Sequence, residues 1–470
     1  MEIDDYDRAL TAARDLAGDY LGGLRARPVG REVDPAVLAA RLDEPLPERG
    51  CEPAEALAEW WRRAEPGVIA SPGPRFFGFV NGGATPAALA GDWLASALDQ
   101  NASMWLGAPA AVETERVVLR WLKELFGLPG AWEGGLTSGA TMANLVGLAA
   151  ARQWAGARLG FDAAEDGLAG QAPIRVVSST EIHASARKAL GILGLGRGSV
   201  REVPAPGGRV DLDAFGAALG EIPGPAIAIA NAGEVNTGAF DDIAGMAKLC
   251  AAHGPGAWLH VDAAFGIFAA LAPSHAHLLD GLAQADSVAA DAHKWLNVPY
   301  DCGFAFVRDG GALRGAFAAD AAYIAAERPV WDPHNHVPEF SRRFRALSVW
   351  CALKAQGRTG YQEIVERGIA NAADFAAWVV AEDGLELMNP AALNIVCFRL
   401  TPAGRDPEAA DARNRRAVSA LQSGGRVFVT GTIWRGRAAI RAAFDNWMTQ
   451  PEDVAILKQA VADLRDRWSA

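Results

Sequence analysis

Lys294 stands in Ala290-Asp291-Ala292-His293-Lys294-Trp295, downstream of an apolar stretch, Ala257 to Asp262, that ends in a carboxylate. Lysine is among the least buried residue types, so a lysine set between apolar runs is unusual. Burial or a cationic neighbour makes such an amine neutral and nucleophilic, as imine formation requires. Asp262 at the end of an apolar strand needs a partner to offset its desolvation, and a protonated ring nitrogen suits it. Ala264, two positions on, points to the same face and leaves room for a flat ring. Upstream, Leu136-Thr137-Ser138-Gly139-Ala140-Thr141 runs a Gly/Ser/Thr turn straight into a helix. Such a turn offers free N–H groups and hydroxyls to a phosphate, to which His293 could also donate. His183, closing the run Ser178 to His183, could lie flat on an aromatic ring and later transfer a proton.

Each of these features has a bland alternative: a surface lysine at a strand end, a capping Asp, an ordinary Ser/Thr N-cap, a loop histidine bonded to backbone. Their order is phosphate cup, ring-stacker, ring-nitrogen carboxylate and imine lysine. Taken together they point to pyridoxal 5'-phosphate, with the protein supplying orientation and electrostatics.

The intervening pattern supplies elements to hold these groups. Helix-like runs (87–100, 111–126, 141–159, 185–193, 213–219) alternate with apolar β-rich runs (174–178, 226–230, 257–262, 303–307). That is the pattern of a mostly parallel sheet covered on both faces, with ligands expected at its carboxyl strand ends. The chain is therefore expected to be α/β, with an N-terminal helical arm (1–85), a large cofactor-binding domain (86–370) and a small C-terminal α+β domain (371–470). In the last, strands are expected at 394–400, 426–430 and 438–444, with helices at 408–421 and 452–468.

With 470 residues and a net charge of −12, nucleic acid and anionic membrane are not expected partners. The acidic start lacks the basic region of a secretory signal, and no apolar run reaches spanning length. Five scattered cysteines (51, 250, 302, 351, 397) without Cys-x-x-Cys spacing fit reduced thiols in the cytoplasm rather than a disulfide frame or a metal site.

Over nearly its whole length the sequence resembles the group II pyridoxal-phosphate-dependent amino acid decarboxylases, the aromatic-L-amino-acid and glutamate decarboxylase-like family. The resemblance is carried by Arg75–Phe79, Trp105 through Pro109 to Glu113, Thr137–Leu145, His183, Asn236–Asp241, His260–Gly266, His293-Lys294-Trp295, Asp301-Cys302 and Arg342–Arg345. It implies fold type I, the aspartate aminotransferase-like fold, and a homodimer with the N-terminal helices laid over the partner. It further implies that Lys294 forms the imine, Asp262 pairs with the ring nitrogen and His183 stacks on the ring. Ala264 would lie under the other face, and Ser138, Ala140, Thr141 and His293 would hold the phosphate. The implied reaction is decarboxylation of an L-amino acid to the amine and CO2. By the same resemblance Phe79, Trp105 and Tyr300 would line a pocket for an aromatic or bulky side chain, although large aromatics fill cores more often.

Three departures stand out. The stretch 325–340, where aromatic decarboxylases carry a mobile loop with a proton-donating tyrosine, is shorter and has none. Tyr323 precedes it, while Trp331, His334 and His336 lie within it, and a histidine could donate the proton instead. Glu234 takes a place usually held by Thr; it could raise a neighbouring pKa or bind a cation, or else face a solvated channel or an arginine. Asp291 replaces a neutral residue near the phosphate, so it is expected to face away or to meet a basic group. Arg441 could hold a carboxylate or be solvated or structural. Loss of the tyrosine keeps open an oxidative decarboxylation to an aldehyde, beside aldol cleavage and transamination. A non-catalytic relative that binds a partner protein is the reading from another class.

Overall fold

The computed structural model describes residues 3–318, 331–401 and 406–469. Helices α1 (Ile3–Gly22), α2 (Pro35–Leu42) and α3 (Pro53–Ala64) open the chain, with Asp34 capping α2 through its carboxylate. Helices α4 (Pro86–Leu98) and α5 (Pro109–Phe126) lead into β1 (Glu133–Thr137). Then follow α6 (Ala140–Leu159), β2 (Arg175–Ser179), α7 (Ala184–Ile192), β3 (Val200–Val203), α8 (Leu212–Gly220), β4 (Ala226–Asn231), α9 (Ile243–Ala252) and β5 (Ala257–Asp262). Strands β6 (Ser287–Asp291) and β7 (Gly303–Val307) and helix α10 (Gly310–Phe317) complete this part.

These seven strands form one sheet in the order β1-β7-β6-β5-β4-β2-β3, in which only β7 runs against its neighbours. Both faces are covered, so a strand such as β4 (Ala-Ile-Ala-Ile-Ala-Asn) is buried along its whole length. Residues of α6, α7 and α10 form the core on one face, and those of α4, α5, α8 and α9 the core on the other. The carboxyl ends of β1, β2, β5 and β6 consequently open on one edge.

Helix α11 (Arg345–Ala381) turns at Gly357 (φ 61°) and runs through position 370, the boundary expected between the large and small domains. Strands β8 (Leu385–Leu387) and β9 (Ile395–Leu400), helix α12 (Pro407–Ser423), strands β10 (Thr430–Trp434) and β11 (Arg437–Ala443) and helix α13 (Pro451–Ser469) follow. The four strands make an antiparallel sheet, β10-β11-β9-β8. The strand expected at 426–430 lies instead at 430–434. Phe428 makes a single bridge to Phe76, and the buried Val427 and Val429 fill the core beneath. Strands β1, β3, β6 and β8 lie outside the strand ranges expected from the sequence. In β1, Gly134 and Gly135 look like turn residues, yet a Cβ on Gly134 would stand 2.0 Å from the Ala305 carbonyl oxygen of β7.

The segments after α1 and after α3 are bonded to the C-terminal part: Val29 N–H donates to the Gly425 carbonyl and Phe77 N–H to that of Phe428. Helices α1 and α2, by contrast, leave Tyr6, Leu10, Leu21 and Val37 exposed. Among the described residues no helix is long and apolar enough to cross a membrane.

Candidate active site

The turn from β1 into α6 passes through Gly139 at φ 146°. A Cβ there would lie 3.0 Å from His293 Cε1 and 3.2 Å from Asp291 Oδ1, so glycine keeps the mouth of the turn open. Asp291, at the end of β6, accepts the backbone N–H of Ala140, the first residue of α6, in a short hydrogen bond. Its other oxygen receives the Lys294 ammonium at 2.9 Å, and its first lies 3.4 Å from His293 Nε2. Asp291 therefore meets a basic residue rather than facing away. Lys294 is partly buried, with Nζ 5.7 Å from the centroid of Phe265. His293 stacks under Tyr300 at 4.3 Å; burial pulls its pKa down against the pull of Asp291. Ser138 is half-buried and Thr141 exposed at the same turn.

Asp262, 6% exposed, ends β5. Among the described residues its donors are neutral, Asn144 Nδ2 at 2.9 Å and the Ala264 N–H at 3.2 Å, and Ser185 Oγ, whose proton is turned to His183, lies 3.5 Å away. His183 caps α7 with its own ring, Nδ1 accepting the Ser185 N–H at 3.2 Å and facing Ser185 Oγ at 2.6 Å. That leaves Nε2 as the protonated nitrogen. Ser185 also receives Asn144 Nδ2 at 3.0 Å, which ties His183 to the Asp262 cluster.

This arrangement fits pyridoxal phosphate. A helix N-terminus kept open by Gly139 and flanked by His293, whose buried Nδ1 has no hydrogen-bond partner, suits the phosphate. A nearly buried carboxylate served by neutral donors suits a pyridinium N–H.

The sequence matches the pyridoxal-dependent decarboxylase conserved domain over residues 35–401. The chain belongs to this family of pyridoxal-phosphate-dependent lyases. Among its relatives, the aromatic-L-amino-acid decarboxylase of Bacillus atrophaeus is 30% identical over 467 residues, covering 97% of this chain and 95% of that protein. The phenylacetaldehyde synthase of Arabidopsis thaliana is 28% identical over 459 residues, covering 94% and 91%. Among solved structures, the Oryza sativa TDC with PLP and tryptamine superposes with a TM-score of 0.93 at 28% identity, covering 100% of this chain and 99% of that one. Fold type I is thus the architecture of this decarboxylase.

The remaining candidates divide. Phe79, Trp105 and Tyr300 are 62%, 38% and 61% exposed, so within one chain they do not close a pocket. Arg441 is buried rather than solvated and donates to the Phe79 carbonyl, holding that residue at φ 56°. Glu234 is buried and, among the described residues, has no arginine in ion-pair contact, but its charge acts on the buried Arg441 and adds to desolvation by burial in raising the pKa values of Glu181 and Asp241. Its oxygens accept the N–H groups of Asn236 and Thr237 at 2.8 and 2.9 Å, with Asn236 Nδ2 at 2.7 Å and Thr237 Oγ1 at 2.9 Å, bracing its own loop.

In the 325–340 stretch, residues up to 330 and Tyr323 lie outside the described residues. His334 is buried, donating from Nδ1 to the Ser103 carbonyl at 3.3 Å, with its ring 4.8 Å from Phe340. His336 lies elsewhere, with Nε2 3.1 Å from Glu133 Oε2. Glu133 pairs with Val307, whereas Thr137, at the far end of β1, pairs with Gly303 beside Asp291. Glu133 and Thr137 stand about 13 Å apart along β1, so Glu133 holds His336 at the end of the strand away from Asp291.

Residues to which the sequence assigns no role also act here. Arg342 and Glu115, both buried, pair at 2.9 Å, and Arg342 donates to the carbonyls of Ala102 and Leu136 at 2.8 and 2.6 Å. This fixes the segment before Trp105 against β1. Asp445 is fully buried, with Oδ2 unpartnered, and its backbone carbonyl accepts Asn297 Nδ2 at 2.9 Å. Asn144 was legible as part of the Thr137–Leu145 motif, but its partners come from other elements.

Proposed function

We propose that this decarboxylase acts on an aromatic L-amino acid, releasing CO2 and the amine, as a cytoplasmic homodimer. The observation that carries the reading is the nearly buried Asp262 carboxylate, met by neutral donors and set on the same sheet edge as Lys294. The substrate class is supported by the exposed rings of Phe79, Trp105 and Tyr300 and by the relatives that act on aromatic amino acids. Uncovered apolar side chains on α1 and α2 support a second copy as the surface they bury against. Five free cysteines support a reducing compartment.

Pyridoxal phosphate, when bound, supplies the electron sink into which a Cα bond of the substrate breaks. Lys294 would hold it covalently, and Ser138, Ala140, Thr141 and His293 would hold its phosphate. Asp262 would face the ring nitrogen and keep its proton in place, with His183 and Ala264 on the two faces. Asp291 orients Lys294 Nζ by accepting a hydrogen bond from it at 2.9 Å. His183, bonded through Nδ1 to Ser185, presents its Nε2 proton to the site. Orientation of the Cα–carboxylate bond perpendicular to the ring would fall to the aromatic side chains at the mouth.

A second reading, oxidative decarboxylation in which O2 is the oxidant and water supplies the carbonyl oxygen, giving the aldehyde, CO2, ammonia and hydrogen peroxide, is favoured by the absence of tyrosine from 325–340. It is also favoured by the likeness to phenylacetaldehyde synthase. One assay separates the two. Protein reconstituted with pyridoxal phosphate is given a panel of L-amino acids, and CO2, amine, aldehyde and peroxide are measured together. Amine equal to CO2 without peroxide, largest for aromatic substrates, supports the first reading. Aldehyde and peroxide equal to CO2 replace it with the second. No CO2 from any substrate overturns both.

A further inference from the structure

Behind Asp262 a file of buried polar side chains crosses from the sheet into α6. Trp258 Nε1 donates to Ser287 Oγ at 2.8 Å, and Ser287 Oγ lies 2.8 Å from His260 Nδ1. His260 Nε2 lies 2.8 Å from Asn144 Oδ1, and Asn144 Nδ2 is 2.9 Å from Asp262 Oδ2. Trp258, His260 and Asp262 alternate along β5 and so share one face. Ser287 on β6 is the register partner of His260.

The direction of every bond in the file follows from its end. An ionised carboxylate only accepts, so Asn144 must turn Nδ2 to Asp262 and Oδ1 to His260. An amide oxygen only accepts, so the His260 proton is on Nε2 and Nδ1 is left to accept from the Ser287 hydroxyl. The Ser287 oxygen in turn accepts from the indole N–H, which can only donate. All four donors therefore point toward Asp262, and bonds aligned in this way polarise one another. His260 is fully buried, and desolvation pulls its pKa down to about 4 against the pull of Asp262, so the ring stays neutral.

Helix α6 is shaped for this file. A Cβ on Gly147 would stand 2.7 Å from His260 Nδ1 and Cε1 and 3.1 Å from Ser287 Oγ. Asn144, one turn earlier on the same helix face, reaches the carboxylate. A core needing only cohesion would be filled with apolar side chains, because each buried polar group must be matched or costs stability.

We propose that the Trp258–Ser287–His260–Asn144 file is a positioning device that fixes Asp262 as the ionised, oriented partner of the cofactor's ring nitrogen. The inference rests on the reading of Asp262 given above. His260, Ser287 and Trp258 act through Asn144 and touch no reacting atom.

The test uses pyridoxal phosphate labelled with 15N in the ring, bound to the wild-type protein and to the Asn144→Leu and Ser287→Ala variants. The ring-nitrogen chemical shift, the visible absorption and the Kd are read, with Tm as a check on folding. The wild type is expected to show a protonated ring nitrogen. Asn144→Leu should move the shift toward the unprotonated form and weaken binding by about tenfold, as for loss of a bond to a charged group. Ser287→Ala, a small change far from the ring, should move both in the same direction, with a loss of about twofold to threefold. A wild-type shift and Kd in Ser287→Ala would overturn the file whatever Asn144→Leu does, while leaving the cofactor reading intact. A wild-type protein that binds no pyridoxal phosphate would instead remove the reading on which the inference rests.

Discussion

Asp291 joins Lys294 to the first turn of α6: one carboxylate oxygen receives the Lys294 ammonium at 2.9 Å while the other accepts the Ala140 N–H. The chain thus places its own anion at the helix end proposed for the cofactor's phosphate, where like charges compete. Asp291→Asn should tighten pyridoxal phosphate binding by about tenfold, as expected when one nearby like charge is removed from a partly screened site. Pyridoxal, which lacks the phosphate, should bind both proteins alike. Fluorescence titration with the two ligands checks this. Weaker binding of both by the variant would show that Asp291 serves chiefly to hold Lys294.

The Arg342–Glu115 pair is buried on both sides and also anchors the Ala102 and Leu136 carbonyls. Arg342→Met should lower stability by about 3–5 kcal/mol, because Glu115 is left as an uncompensated buried charge. Adding Glu115→Leu should restore part of the loss. Urea unfolding of the two variants measures it, and an undiminished midpoint in Arg342→Met would contradict the assignment.

Asp445 gives stability a dependence on pH. Burial pushes its pKa up to about 7, against the opposing pull of Lys294. Between the unfolded carboxyl range near 4 and that value, the folded protein keeps a proton that the unfolded chain releases. Its contribution to stability therefore falls as pH rises through that window. Asn is a neutral mimic, so the Tm advantage of Asp445→Asn over wild type should be smallest near pH 4, widen up to pH 7 and then level off. An advantage that shrinks with rising pH would show that the carboxylate is stabilised in the fold.

His336 is committed to Glu133 at the opposite end of β1 from the Asp291 edge. His336→Gln should leave kcat within about twofold, well short of the hundredfold or more that a lost general acid costs. Steady-state decarboxylation rates decide, and a hundredfold fall would assign His336 to the proton transfer.

The chemistry was more legible in the sequence than the shape. Lys294, Asp262 and His183 stand in short motifs at strand ends, where residue type and strand alternation place them without tertiary knowledge. Strand β1 was hidden because Gly134 and Gly135, required by close approach to β7 and to Val337, look locally like a turn. The charge of Glu234 stands out in the sequence and does add to burial in raising neighbouring carboxyl pKa values, but its four donors lie in its own loop, which no spacing rule announces. Ser287 and Asn144 gain meaning only when β6, β5 and α6 come together. The shift of the last hairpin to 430–434 has a similar cause, since Val427 and Val429 show strand alternation while filling a core from an irregular segment.

Lys294 is the proposed covalent anchor of the cofactor. The most direct test is borohydride reduction of protein loaded with pyridoxal phosphate, followed by proteolysis and mass spectrometry. One phosphopyridoxyl group per chain is expected, on Lys294, and none on Lys294→Ala treated in parallel. Stoichiometric modification of another lysine, or an unmodified Lys294 in loaded protein, would contradict this role.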